Sequence, residues 1–174
     1  MKKEIHTIRG LREGDIPVCL AIYNHYIKET VYTLEEDPLS LEAFEERCLA
    51  IESKNPFLVC EGGEGAILGF CYLHPFHERS AFKRTAELSI YVDKDHLREG
   101  VGEALYLSLE MEARKKGLTN LVAVITGENS SSLSFHYRNG FVLEGTLKGV
   151  AHKLGRDVDV CYLRKGLEKT HPFN

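Results

Sequence analysis

Residues 84–104, Arg-Thr-Ala-Glu-Leu-Ser-Ile-Tyr-Val-Asp-Lys-Asp-His-Leu-Arg-Glu-Gly-Val-Gly-Glu-Ala, run a strand pattern through a glycine turn into a helical pattern. Leu88, Ile90 and Val92 alternate with Ser89 and Tyr91, the period of two expected of a strand, and the polar residues 93–96 end the run. The helical pattern starts at Val101. Gly100 and Gly102 let the backbone turn tightly with no Cβ in the way, so several amide N–H groups can face one hollow at a helix N-terminus. Such a hollow suits phosphate. A dinucleotide fingerprint would need a third glycine where Leu105 stands, and a P-loop would need Gly-Lys-Ser or Gly-Lys-Thr. What remains is a shorter phosphate-binding loop or a tight turn with a purely structural role.

The other residues constrain the chain more loosely. A length of 174 residues fits one domain, 1–174, with a single core. A formal charge of -4 gives no overall pull toward nucleic acid or an anionic membrane, so neither is expected as a partner. No apolar run is long enough to span a bilayer and the first residues hold no signal-peptide core, which makes the cytoplasm the expected location. Cys19, Cys48, Cys60, Cys71 and Cys161 lack the paired spacing of a zinc site or a disulfide scaffold and read as buried thiols.

In chain order, 5–9 reads as a strand, and Ile16, Leu20, Tyr23 and Ile27 repeat at helical spacing after Asp15, a candidate cap. The polar stretch 30–38 is a loop. Ser40 can cap a second helix with Leu41, Phe44, Cys48 and Ile51 on one face, and Ala43 rules out a full capping box. Residues 57–60 and 67–73 predict two strands around a glycine-rich hairpin turn, and 74–83 reads as irregular. After the Glu87 strand come a helix over 101–116 stopped by Gly117, an apolar strand over 121–125, a helix from the Asn129 region to Asn139-Gly140, and strands from Phe141 and over 158–163. The predicted order is β-α-α-β-β-β-α-β-α-β-β.

That order, together with Glu-Leu-Ser-Ile-Tyr-Val at 87–92, Arg98-Glu99-Gly100-Val101-Gly102 and Asn129-Ser-Ser-Ser132-Leu-Ser-Phe-His136-Tyr-Arg-Asn-Gly140-Phe141, resembles the GNAT superfamily of acyl-CoA-dependent N-acyltransferases. Within it the chain is similar to the phosphinothricin and methionine sulfoximine acetyltransferases over almost its whole length. Asn24-His25-Tyr26-Ile27, Gly145-Thr146-Leu147 and Lys153-x-Gly155-x-x-x-Asp159-Val160 carry further parts of the likeness.

The resemblance implies an α/β GNAT fold, a mixed, mostly antiparallel sheet flanked by helices in a single domain. It also implies acetyl-CoA as co-substrate, with Ile90, Tyr91 and Val92 along the pantetheine arm. Arg98, Glu99, Gly100, Val101, Gly102 and Glu103 would wrap the pyrophosphate, with Asn129 and Ser132 beside the cofactor. No metal is implied, and members are commonly homodimers. Glu87 matches the family's general base. An amine with a pKa near ~8 to ~10 is largely protonated at neutral pH and must lose a proton before it attacks. His136 lies where many members carry a tyrosine that protonates the leaving thiolate, and Tyr137 is an alternative donor. For the substrate, a small amine of amino-acid type, Arg79 would hold a carboxylate while Phe82 and Leu34 line the pocket. Leu97 replaces a usual Gln or Arg. His77, Phe82, Arg84 and Leu34 stand where the family has Lys, Tyr, Trp and Phe, so a different amino acid should fit. Acetylation of a polyamine or a protein N-terminus, and a CoA-binding sensor without catalysis, are the rival readings.

Overall fold

The computed structural model describes residues 6–167. The strand β1 is Thr7–Gly10, followed by α1 at Ile16–Glu29 and α2 at Leu41–Glu52. Three strands come next, β2 at Phe57–Glu61, β3 at Ile67–Pro75 and β4 at Thr85–Val92. The chain continues through α3 at Val101–Lys115, β5 at Asn120–Thr126 and α4 at Ser130–Arg138, and ends in the hairpin β6, Val142–Lys153, and β7, Arg156–Gly166. The element order expected from the sequence holds throughout, and residue 5 of the first strand lies outside the described residues. The strands form one seven-stranded sheet in the order β1-β2-β3-β4-β5-β7-β6, antiparallel except where β4 meets β5. None of the described helices is long and apolar enough to cross a membrane.

The middle of the sheet is covered on both faces, which explains apolar residues at both parities of its strands. Cys71 and Leu73 of β3 and Leu88 of β4 pack with Leu105, Leu109 and Ala113 of α3. Phe70 and Tyr72, at the alternate positions of β3, pack on the other face with Cys19, Tyr23 and Ile27 of α1 and Phe44 and Cys48 of α2. Tyr91 joins this second cluster through ring contacts with Phe70 at 5.3 Å and Tyr23 at 4.9 Å. All five cysteines are buried and free, as their spacing suggested.

Two local expectations are corrected. Asp15 does not cap α1; its carboxylate accepts from the Arg12 amide and from the Arg9 guanidinium, and no side chain caps that helix. Residues 74 and 75 are not irregular but continue β3, because β4 offers a full ladder as far as His74↔Glu87 and Pro75↔Ala86. Gly69 lets these strands close up at their other end, since a Cβ there would stand 2.7 Å from the Tyr91 carbonyl oxygen.

The functional geometry follows from how little β4 and β5 share. They pair only at Thr85↔Asn120, Ala86↔Leu121 and Glu87↔Val122. Beyond Glu87 each strand continues on its outer partner, β4 on β3 as far as Val92 and β5 on β7 as far as Thr126. The two strands therefore diverge, and the ladder that holds each from outside keeps the split open.

Candidate active site

A cavity of about 680 Å³ fills the split. Residues 87–92 of β4 form one wall and 123–126 of β5 the other. Gly100, Gly102 and Glu103 close it from the start of α3, Ser132, Phe135 and His136 from α4, and Tyr32, Thr33 and Leu34 from the loop after α1.

The start of α3 carries no cap. Arg98 and Gly100 have φ of 67° and 86°, left-handed values that turn the backbone sharply into the helix. The first intrahelical bond runs from the Ala104 amide to the Gly100 carbonyl at 3.0 Å, and no side chain accepts from the turn before it. The amides of Val101, Gly102 and Glu103 therefore have no helical acceptor, and their partial positive charge faces the cavity end. This arrangement fits an anionic group such as a phosphate, and the cations Arg98 and Arg138 line the same cavity.

Glu87 is the last β4 residue paired to β5, so its carboxylate stands at the narrow end of the split, and it lines the cavity. Across the β3–β4 ladder it faces His74, with Nε2 3.5 Å from its Oε1. Burial alone would disfavour a charged His74 ring, yet the Glu87 carboxylate together with the Pro75 carbonyl outweighs it and raises the pKa above the ordinary histidine value.

His136 is 6 % exposed. Its Nδ1–H donates to the Ser132 carbonyl at 2.8 Å, which leaves Nε2 as a bare acceptor, buried with no partner among the described residues. Burial also holds its pKa below the ordinary value, so the ring is neutral at pH ~7. In this state His136 accepts a hydrogen bond rather than donating a proton to a thiolate. Tyr137, the other candidate donor, is exposed and does not line the cavity. Thr126, 2 % exposed at the end of β5, has a hydroxyl that is likewise buried and unpartnered. Two residues that line the cavity from different elements, Thr126 of β5 and His136 of α4, thus each hold a polar atom without a partner among the described residues.

The structure brings together Glu87, His136, Ile90, Tyr91, Val92, Arg98, Gly100, Gly102, Glu103, Asn129, Ser132 and Leu34 as cavity-lining residues. Glu99 and Val101 do not line the cavity: the Val101 side chain is in the core, and Glu99 is turned to His96 at 2.9 Å. Asn129 also has a structural task, its Oδ1 accepting from the Ser132 amide at 3.1 Å to cap α4. Arg79 and Phe82 lie outside the cavity on an exposed turn, where Phe82 packs on His77 and Phe76.

Sequence reasoning did not identify His74, Thr126, Arg138 or Tyr26 as site residues. His74 needed the β3–β4 register. Tyr26, in α1, donates to the Val92 carbonyl at 2.6 Å and fixes the far end of the β4 wall. Lys153 is buried at the tip of the β6–β7 hairpin, donates to the Thr33 carbonyl at 2.6 Å, and so ties down the loop that presents Leu34.

A family model described as an acetyltransferase (GNAT) domain matches residues 8–161. The chain is 33% identical to the phosphinothricin N-acetyltransferase of Alcaligenes faecalis over 163 residues, 92% of this chain and 82% of the relative. Among solved structures, a GNAT superfamily phosphinothricin acetyltransferase from Sinorhizobium meliloti in complex with acetyl-CoA superposes with a TM-score of 0.91 at 29% identity, covering 97% of this chain and 94% of the other. A ribosomal-protein-alanine N-acetyltransferase from Brucella melitensis gives 0.89 at 34% identity, covering 92% and 99%. With the split sheet, the uncapped helix and these matches together, the chain belongs to the GNAT family of acetyltransferases.

Proposed function

We propose that the chain transfers the acetyl group of acetyl-CoA to the primary amine of a small amino-acid-like substrate by direct attack, with Glu87 as general base. The observation that carries this reading is the position of Glu87 at the narrow end of a cavity whose other end offers the free amides of α3. Acetyl-CoA supplies the activated thioester, and its pyrophosphate matches the uncapped helix start. Glu87 takes the proton that an ammonium must lose, a contribution of roughly 10²- to 10⁴-fold for a well-placed base. His136 Nε2 and the Thr126 hydroxyl offer polar partners inside the cavity. An acceptor role for His136 agrees with its lone pair, whereas a donor role would require protonating a ring that burial keeps neutral.

The substrate class rests on relatives named for phosphinothricin. A carboxylate grip by Arg79 requires a substrate that reaches from the cavity to the exposed turn, and Arg79→Ala is then expected to raise KM while leaving acetyl-CoA affinity unchanged. Acetylation of a protein N-terminus is the second reading, favoured by the likeness to the ribosomal-protein-alanine enzyme. Thiol release from acetyl-CoA with phosphinothricin, methionine sulfoximine, their decarboxylated analogues and an alanine-initial peptide separates the two. Turnover only with the carboxylate-bearing amines supports the first reading, turnover only with the peptide supports the second, and thiol release with none overturns both. Glu87→Gln should lower kcat/KM by at least about tenfold near neutral pH and regain part of the loss at high pH, where the amine deprotonates unaided. A homodimer belongs to the same reading, and Val142, Leu143, Leu147 and Val150 of β6 are exposed apolar residues open to a partner. Sedimentation of the full chain tests it.

A further inference from the structure

His74 and Glu87 are opposite each other in the β3–β4 ladder, with the cavity on the Glu87 side; Glu87 lines it and His74 does not. The ring Nε2 is 3.5 Å from the carboxylate, and Nδ1 is 3.3 Å from the Pro75 carbonyl oxygen. Both nitrogens thus face acceptors, an arrangement that only the doubly protonated imidazolium satisfies fully. About a third of the side chain is exposed, which gives the ring an outlet to solvent that the deeper wall of the cavity lacks. The Tyr72 ring packs obliquely against it at 6.0 Å, and Arg47 and Glu35, paired with each other at 2.6 Å, stand on the far side of Tyr72. Glu87 is the charged group that acts on His74.

We propose that His74 is a positioning residue for Glu87 that also carries its proton away. The inference rests on Glu87 being the general base. The amine N–H bond breaks toward the Glu87 carboxylate, the proton passes from there to the Nε2 lone pair of a neutral His74, and the imidazolium returns it to solvent. No electrons change hands, and the amine lone pair is left to attack the thioester carbon. The separation of 3.5 Å is long for direct transfer, as catalytic contacts often are before substrate binds. When His74 is already protonated it can accept nothing, and its charge makes Glu87 a weaker base. Acetylation should therefore lose rate as pH falls through the His74 pKa, which the Glu87 carboxylate and the Pro75 carbonyl raise above the ordinary histidine value.

Two measurements on the full-length chain test this. NMR titration of the His74 ring, which needs no substrate, is expected to show a midpoint above that of an ordinary histidine that drops in Glu87→Gln. Profiles of kcat/KM against pH, with acetyl-CoA and phosphinothricin or whichever amine the panel shows to react, then compare wild type with His74→Gln. Glutamine still hydrogen-bonds Glu87 but cannot titrate, and the ionisation of the amine itself appears in both profiles and cancels in their ratio. The variant should lack the inflection and be slower by about tenfold at pH ~8. A His74 midpoint unmoved by Glu87→Gln, or a His74→Gln profile that coincides with wild type, overturns the proposal. Wild-type rates from Glu87→Gln would instead remove the general-base reading, and the role of His74 with it.

Discussion

Helices α2, α4 and α3 begin in two different ways. Ser40 Oγ accepts from the Ala43 amide at 3.2 Å and Asn129 Oδ1 from the Ser132 amide at 3.1 Å, so α2 and α4 are closed by their own side chains. Helix α3 starts at Gly100, which has no side chain to offer, and the turn before it is left-handed at two residues. A helix that lacks a cap gives up about 1 kcal/mol that serine or asparagine would supply. The uncapped start of α3 lines the cavity, as does the capped start of α4 at Asn129 and Ser132. Helix α1 also lacks a side-chain cap but continues a short 3-10 turn at Glu13–Asp15, whereas the bare amides of α3 stand at the cavity.

Five substitutions at four positions would break or sharpen this contrast. The largest effect is expected from Gly102→Glu, which puts a carboxylate on the cavity wall where an anion is to bind and should weaken acetyl-CoA by at least about a hundredfold. A Cβ at this position meets only Val92 Cγ2 at 3.7 Å, an ordinary contact, so Gly102→Ala should fold normally and bind within severalfold of wild type. The pair separates charge and length from backbone strain, and calorimetry giving equal affinities for glycine and glutamate would remove the phosphate assignment. Gly100→Asp should come second. It supplies α3 with a carboxylate that competes for the bare amides, and the left-handed φ of 86° adds strain of about 1 kcal/mol, so affinity and melting temperature should both fall. Asn129→Ala, at a residue that both caps α4 and lines the cavity, should cost about 1 kcal/mol of stability and weaken acetyl-CoA severalfold. Ser40→Ala should show only the first of these effects, with acetyl-CoA affinity unchanged in the same titration. If Ser40→Ala altered affinity as much as Asn129→Ala, the division between fold caps and ligand caps would fail.

The elements themselves were legible because their signals are local. The period of Leu88, Ile90 and Val92, the cap at Ser40 and the glycines at 100 and 102 each act within a few residues, and each appears where it was expected. The tight turn into α3 was legible for the same reason, with Gly100 in the left-handed region at its start. What was hidden depends on register and on depth. The pairing of β4 with β5 stops after three residues because each strand is committed to another partner, a fact written nowhere in residues 85–126 alone. His74 became a partner of Glu87 only through the ladder, and the neutrality of His136 only through its burial among α4, Phe135 and Phe141. Arg79 and Phe82 carry the right chemistry for a carboxylate pocket, yet nothing in their spacing from Glu87 says which way an exposed turn points.

The three-residue pairing of β4 and β5 also determines where the chain can change. Successive side chains on a strand point to opposite faces, so a slip of one residue in β4 would present Ala86 or Leu88 where Glu87 now stands and drive a carboxylate into the core. Insertions and deletions within 85–92 and 120–126 are therefore excluded. The loop bearing Leu34 and the turn bearing Arg79 lie outside the sheet ladder, and doubling the length of such a loop costs only about 0.6 kcal/mol in closure entropy. Descendants of this chain can therefore lengthen, shorten or rewrite these two segments while the β4–β5 register, and with it the position of the Glu87 carboxylate, stays in place.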